Sequence, residues 1–258
     1  MKNAHLWKAL GRNTIISIIL FGALLGVLWL VEFLYPDLTL LKWYDPAWVV
    51  GIPASIIGVA YILTIKDPSN YTGFYAGIVM SILLGVQFML HKPMPGIDSA
   101  FLFFCVFIPF QIKSIVQWMK PAAKDAEPFA PEFLSTKAML LSVLVLVLIT
   151  AADYLFATWY YENSLMDAIE SKLLSGLLIS SSVLANFWLI YRKTDSWLYW
   201  FLYSAAGIGL FVLLGNIFSV VLFIFSVVLF IFFLVINGMA GIAWIKGTKP
   251  ENMGWLNR

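Results

Sequence analysis

Long apolar stretches dominate this 258-residue chain and leave little room for any other kind of structure. A hydrocarbon core of about 30 Å requires about 20 consecutive apolar residues in each spanning helix. Because lipid offers no hydrogen-bonding partner to the backbone and the runs are continuous, each is predicted to be an α-helix. The sequence therefore predicts an all-α polytopic membrane protein with eight transmembrane helices, at roughly residues 14–35, 47–65, 71–90, 98–119, 138–160, 173–191, 196–214 and 217–245.

The basic residues indicate how these helices are oriented. Hydrophobic residues make up 62% of the chain and charged residues only 12%, so most charges lie between the apolar stretches. If the N-terminus is cytoplasmic, only Lys42, Lys92 and Lys172 of the 16 basic residues lie outside. Cytoplasmic segments of membrane proteins carry an excess of Lys and Arg. We therefore expect both termini in the cytoplasm, and topology explains the net charge of +2 without nucleic acid.

The residues of familiar catalytic chemistry are missing from the sequence. The chain has one cysteine, Cys105, inside an apolar stretch, which excludes an intramolecular disulfide and a cysteine metal cluster. His5 and His91 both lie outside the predicted spans. No HExxH, GxSxG, Walker or Rossmann pattern is present. We expect no enzyme, no metal and no cofactor, although a membrane-embedded enzyme stays open as a poorly supported alternative.

A faint internal repeat becomes visible when the sequence is shifted by 126 positions. The shift aligns aromatic, amide and basic residues in the pairs Phe104/Phe230, Phe107/Phe233, Gln111/Asn237, Trp118/Trp244 and Lys120/Lys246. It also aligns the turn Lys66-Asp67 with the turn Arg192-Lys193. We expect two parallel three-helix repeats related by a pseudo-twofold axis along the membrane normal, with an extra first helix and a joining helix, a 1 + (3+1+3) arrangement.

The repeat also suggests how the chain is divided. The expected segments are an N-terminus with the extra helix at 1–45, a first repeat at 46–121, a linker and joining helix at 122–165, a second repeat at 166–247, and a tail at 248–258. Duplicated bundles of this kind are typical of carriers whose solute site lies between the halves. Pro53 and Pro109 interrupt two of the predicted helices and are candidate flex points.

Two amides inside the apolar stretches are the leading candidates for solute binding, because burying an unpaired amide costs several kcal/mol. Gln111 and Asn237 each lie seven residues before the Trp that ends their stretch. An amide both donates and accepts hydrogen bonds, as a neutral polar solute requires. The alternative is an interhelical hydrogen bond that only holds helices together.

The remaining candidates are aromatic and amide side chains, namely Asn186, Trp188, Trp200, Tyr203 and Gln87. Trp197, Trp200 and Tyr203 share one helix face, since successive members are three residues apart. Trp197 begins a span, where aromatic belts are common, and we predict that it belongs to such a belt. Trp200 and Tyr203 suit a flat ring or a delocalised cation.

Several short motifs occur in order along the chain. They are Tyr44-Asp45-Pro46-Ala47-Trp48, Ser69-Asn70-Tyr71, Gln117-Trp118 and the run from Tyr191 to Trp200, which contains a basic turn and a WxxW pattern. Together they resemble the PnuC family of bacterial vitamin transporters, which carry nicotinamide riboside. The resemblance covers nearly all of the chain after residue 40.

This resemblance implies a fold similar to that of the SWEET sugar transporters, a homotrimer, and a location in the bacterial cytoplasmic (inner) membrane. It also implies uptake of nicotinamide riboside by facilitated diffusion, with a cytoplasmic kinase that traps the solute by phosphorylation. The alternative is a SWEET-like carrier of another small vitamin or sugar. The only deep basic side chain, Lys113, can reach the interface, so we expect phosphorylated nucleotides to be rejected.

Overall fold

A computed structural model gives the structure of the protein and describes residues 4–34, 46–90, 96–120, 131–160, 168–214, 220–249 and 252–256. Its α-helices are α1 (Ala4–Leu34), α2 (Pro46–Ile65), α3 (Gly73–Leu90), α4 (Gly96–Phe101), α5 (Ile108–Trp118), α6 (Thr136–Tyr160), α7 (Ile169–Ile190), α8 (Ser196–Leu214) and α9 (Val220–Gly247). A π-helix, Leu102–Phe107, connects α4 to α5, and a short 3₁₀ turn, Gly254–Leu256, follows α9. Within these ranges there is no β-strand, and one isolated bridge pairs Glu132 with Lys193.

The described helices confirm the predicted all-α membrane protein. Seven helical stretches in the described ranges are long and apolar enough to cross a membrane. The α2 helix contributes a shorter apolar stretch, Val49–Ile65. The predicted span at 98–119 corresponds to three consecutive elements, α4, the π-helix and α5. Together we call them the third helix, because they form the third span after α1. The 1 + (3+1+3) order stays a prediction.

The chain divides into two compact units, Met1–Pro121 and Ala122–Arg258. In the first unit, α2 packs against both α1 and α3, and α3 also packs against the third helix. In the second unit, α7 packs against both α6 and α8, and α8 also packs against α9. Each unit thus consists of helices that pack mainly against their neighbours in sequence.

The first helix begins well before its apolar stretch because polar contacts hold its first turns. The carbonyl oxygen of Leu6 accepts hydrogen bonds from Asn70 Nδ2 at 3.4 Å and Thr72 Oγ1 at 3.2 Å, both in the α2–α3 connection. Two turns later, Asn13 Nδ2 donates to Thr64 Oγ1 at 3.0 Å, with both side chains buried. These bonds fix α1 to the end of α2 in an environment where water does not compete.

The irregularity expected at Pro109 takes the form of the π-helix that precedes it. The N–H of Ile108 donates to the carbonyl oxygen of Phe103, five residues earlier, rather than to the oxygen four residues earlier. Proline has no N–H to donate, and its ring crowds the preceding turn, so a wider turn accommodates it. The third helix therefore continues through Pro109 with a local change in its winding.

Asp195 connects three separate segments of the second unit, and we call this arrangement the Asp195 clasp. The residue lies in the turn between α7 and α8 and is only 2% exposed. Its carboxylate accepts hydrogen bonds from the N–H of Leu134 at 2.7 Å and from Trp255 Nε1 at 2.6 Å. In addition, the backbone N–H of Trp255 donates to the backbone oxygen of Leu134 at 3.0 Å. Since both carboxylate oxygens are hydrogen-bonded, the charge is buried with partners.

We expect Asp195→Ala to lower the free energy of unfolding by about 3 kcal/mol, because two N–H donors lose a charged acceptor. Unfolding of the detergent-solubilised protein by denaturant measures this change. Lys193→Gln, two residues from Asp195, is the matched control, since it removes a partly exposed ion pair to Glu132. For this variant we expect the free energy of unfolding to fall by less than about 1 kcal/mol. Equal losses in the two variants contradict the prediction.

Candidate functional site

Asn237 on α9 contacts α8 in the middle of the second unit. Its side chain is 1% exposed, and its Nδ2 donates to the backbone oxygen of Trp200 at 3.2 Å and to Ser204 Oγ at 3.1 Å. Its Oδ1 is buried and has no hydrogen-bonding partner among the described residues. The nitrogen of this amide thus joins α8 to α9, whereas its oxygen accepts no hydrogen bond from the described residues.

Trp200, whose backbone oxygen accepts from Asn237, belongs to a row of packed aromatic rings. The rings of Trp200 and Tyr203 pack edge to face at 5.4 Å, and Tyr203 lies 5.4 Å from Phe230. Trp200 Nε1 is buried, and within the described ranges it has no acceptor. We call Trp200, Tyr203, Ser204, Phe230 and Asn237 the Asn237 patch. It combines an unused acceptor, an unused donor and aromatic faces, and all of its side chains are uncharged.

The corresponding amide of the first unit, Gln111, also lies in a buried patch. Gln111 is 1% exposed, and its Nε2 donates to the hydroxyl of Tyr61 at 3.2 Å. Its Oε1 lies against α3, because a Cβ on Gly77 would be 2.7 Å from that atom. The ring of Phe74 lies 6.1 Å from Tyr61 and packs edge to face with Trp118 at 4.7 Å. We call these five residues the Gln111 patch.

Two predicted site residues, Asn186 and Trp188, make hydrogen bonds elsewhere in the second unit. Asn186 Nδ2 donates to the oxygen of Ser182 within α7, at 2.9 Å. Trp188 Nε1 donates to Ser142 Oγ at 2.9 Å, a bond that joins α7 to α6. Since each indole has a single N–H, that donor is already used.

Gln87 lies near the opposite end of α3 from the Gln111 patch. A Cβ on Gly51 of α2 would be 2.5 Å from Gln87 Nε2, so this amide fills space beside that glycine. Gly77, which contacts Gln111, is ten residues away on α3, a rise of about 15 Å. The structure brings together Trp200, Tyr203 and Asn237, and it separates Gln87 from Gln111.

Trp197 is buried, and the prediction that it belongs to an aromatic belt is wrong. The side chain is 3% exposed and packs edge to face on Trp244 at 5.5 Å. A Cβ on Gly241 would lie 3.2 Å from Trp197. The first turn of α8 packs against the last turns of α9, and the missing side chain at 241 gives the indole its space.

Sequence reasoning missed Tyr61 and Ser204 as partners of the two amides. Ser204 lies four residues after Trp200, so helical spacing predicts that both share a face, and this signal was available. Tyr61 lies in an apolar run on another helix, 50 positions from Gln111. No spacing rule connects residues on different helices, so this partner becomes visible only in the fold.

Neither of the two patches contains a charged side chain. No group of three His, Cys, Asp or Glu residues in the described part of the chain is suited to hold a metal ion. The nearest basic residue to Gln111 along the chain, Lys113, is exposed. In the turn between α7 and α8, burial lowers the pKa of Arg192 to about 10, so its guanidinium stays protonated at neutral pH.

Apolar spanning helices with buried, uncharged polar patches are typical of a membrane carrier for a small solute. The chain belongs to the nicotinamide mononucleotide transporter family, whose sequence model matches residues 48–246. The predicted resemblance to the PnuC transporters is thereby confirmed, as is the prediction that the chain is not an enzyme.

The fold is similar to a solved structure, a crystal structure of the vitamin B3 transporter PnuC. The TM-score is 0.59 with 17% sequence identity, and the match covers 95% of this chain and 97% of the other. At this identity the likeness concerns the fold. A search of curated proteins finds no match to the chain.

We expect Gly77→Ala to disturb the Gln111 patch, because the added Cβ would lie 2.7 Å from Gln111 Oε1 and 3.1 Å from the Tyr61 ring. Overpacking of this kind costs about 1–3 kcal/mol, so thermal unfolding in detergent is expected at a lower temperature. Gly22→Ala in α1 is the control, since among the described residues no atom beyond the neighbouring backbone of α1 lies within 4 Å of its Cβ position. A Gly77→Ala variant as stable as this control contradicts the expected contact.

Proposed function

We propose that the protein carries nicotinamide riboside across the bacterial cytoplasmic membrane by facilitated diffusion, and that a cytoplasmic kinase traps the solute by phosphorylation. The observation that carries the proposal is the pair of buried polar atoms without described partners, Asn237 Oδ1 and Trp200 Nε1. Buried polar groups in native proteins are nearly always hydrogen-bonded. Partners from outside the described residues, supplied by a solute, account for both atoms.

The chemistry of these atoms matches a carboxamide on an aromatic ring. A carboxamide needs an acceptor for its N–H groups and a donor for its oxygen, as Asn237 Oδ1 and Trp200 Nε1 offer. The nicotinamide ring of the riboside carries a positive charge, and indole and phenol faces attract such a ring by about 0.5–2 kcal/mol. Trp200 and Tyr203 supply these faces. The name of the similar solved structure, a vitamin B3 transporter, supports the same class of solute.

The absence of charge in both patches favours the riboside over its phosphorylated form. A phosphate ester is typically bound by Arg or Lys, which form strong charge-assisted hydrogen bonds to it. Neither patch contains a basic side chain, and Lys113, two residues after Gln111, is exposed. We therefore propose the riboside as the solute, although the family takes its name from the mononucleotide.

Further parts of the proposal concern the site, the assembly and the orientation. We propose Asn237, Trp200, Tyr203 and Gln111 as solute contacts, and Asn186, Trp188 and Gln87 stay predicted contacts. The distribution of the 16 basic residues supports cytoplasmic termini. The predicted repeats at 46–121 and 166–247 and the homotrimer are part of the same proposal.

Removing either unused polar group should weaken binding of the riboside. We expect Asn237→Ala and Trp200→Phe to raise the Kd for nicotinamide riboside about tenfold each, since each loses a hydrogen bond that is buried in the complex. Calorimetry with detergent-solubilised protein measures this. Trp197→Phe is the matched control, because its Nε1 is also buried without a described partner but its ring packs on Trp244. Unchanged affinity in both patch variants removes them from the site.

Solute flux into proteoliposomes tests selectivity and mechanism together. We expect labelled nicotinamide riboside to equilibrate across the membrane without an ion gradient and to accumulate when kinase and ATP are enclosed. We expect nicotinamide mononucleotide to stay outside the proteoliposomes. Rapid uptake of the mononucleotide contradicts the argument from charge. Stronger competition by thiamine or riboflavin than by the riboside favours the alternative, a carrier of another vitamin.

A further inference from the structure

Ser81 has a buried hydroxyl that no described residue of the protein satisfies. The residue is 0% exposed, and its Oγ has no hydrogen-bonding partner in the described part of the chain. Serine in a membrane helix usually donates to a carbonyl three or four residues earlier. Ser114 on α5 does so, with its Oγ 2.9 Å from the oxygen of Phe110. The hydroxyl of Ser81 is therefore an exception that requires an explanation.

The position of Ser81 on α3 places it next to the Gln111 patch. Gly77, one turn away, contacts Gln111 Oε1, and Gly85, one turn in the other direction, contacts the ring of Phe104. Both contacts are with the third helix, so this face of α3 is turned toward it. Ser81 lies between them, about 6 Å along the helix axis from each.

The second unit shows what occupies the equivalent position there. When the sequence is shifted by 126 positions, Ser81 aligns with Gly207 and Phe104 aligns with Phe230. The ring of Phe230 packs directly on Gly207, since its Cζ would be 2.6 Å from a Cβ at that position. In the second unit, an aromatic ring thus covers the helix beside the Asn237 patch.

In the first unit the equivalent aromatic ring packs farther along the neighbouring helix from the residue that contacts the amide. Along α8, Gly207 is three residues from Ser204, which contacts Asn237, a separation of about 4.5 Å. Along α3, Gly85 is eight residues from Gly77, which contacts Gln111, a separation of about 12 Å. Phe104 lies in the π-helix Leu102–Phe107, whereas Phe230 lies in the α-helix α9. Phe104 therefore packs one turn beyond Ser81 and leaves a hydroxyl where the second unit has an aromatic contact.

We propose that Ser81 binds the solute beside Gln111 and takes a hydroxyl group of its sugar. The proposal rests on the proposed function and adds a residue that contacts the sugar of the solute. A hydroxyl can donate to and accept from another hydroxyl, which is the pairing that a sugar offers. Ser81 is fully buried, so the proposal requires a movement that uncovers it. The π-helix of the third helix is the candidate place for this movement, since such turns are frequently found at functional sites.

The experiment compares two solutes that differ in the sugar. In Ser81→Ala, the Kd for nicotinamide riboside is expected to rise about 5- to 10-fold, as for one lost hydrogen bond, and the Kd for nicotinamide to stay unchanged. Ser81→Gly, which copies the residue at position 207, is expected to show the same loss. Ser114→Ala is the control, since its hydroxyl is buried but already bonded within α5.

Thermal unfolding without solute separates a binding role from a structural one. Removing an unsatisfied buried hydroxyl is expected to leave the Tm of the solute-free protein unchanged or raise it, while riboside binding weakens. Riboside affinity equal to wild type in Ser81→Ala overturns the proposal for Ser81 alone. A wild-type protein that binds no riboside overturns the proposed function, and the proposal for Ser81 with it.

Discussion

A polar group buried among apolar helices must find a hydrogen-bonding partner, and the arrangement of both units depends on this constraint. Most buried polar side chains find a hydrogen-bonding partner inside the protein. Asn13 bonds Thr64, Trp188 bonds Ser142, and Thr150 bonds Ser180 at 2.9 Å. A few atoms, among them Asn237 Oδ1 and Trp200 Nε1, have no such partner among the described residues. The proposed solute site is built on these two atoms, which belong to residues whose other contacts join α8 to α9 or to a neighbouring ring.

The fold was predictable from the sequence because a bilayer specifies the length of each apolar run. The local winding of the third helix was not predictable. Pro109 indicates an irregular helix, but the sequence does not determine whether that helix kinks or widens into a π-helix. The start of α1 at Ala4 was also missed, because contacts with Asn70 and Thr72, rather than apolar length, determine it. Properties of one segment are predictable, whereas contacts between segments require the fold.

The same distinction applies to the candidate site. Gln111 and Asn237 stood out in the sequence because amides in apolar runs are rare, and both are buried in patches. The partner of Gln111 could not be predicted, because nothing in the sequence distinguishes Tyr61 from the other aromatic residues of the apolar runs. The shift by 126 positions aligns Phe104 with Phe230, yet one ring packs on Gly85 and the other on Gly207. Matching letters in a repeat therefore do not guarantee matching neighbours.

The Asp195 clasp has a consequence for how the protein is made. Trp255 follows Asp195 by 60 residues and is translated only after the whole of α9. Until Trp255 leaves the ribosome, one of the two donors to the carboxylate is missing. The clasp therefore closes only after the whole of α9 and Trp255 have been synthesised.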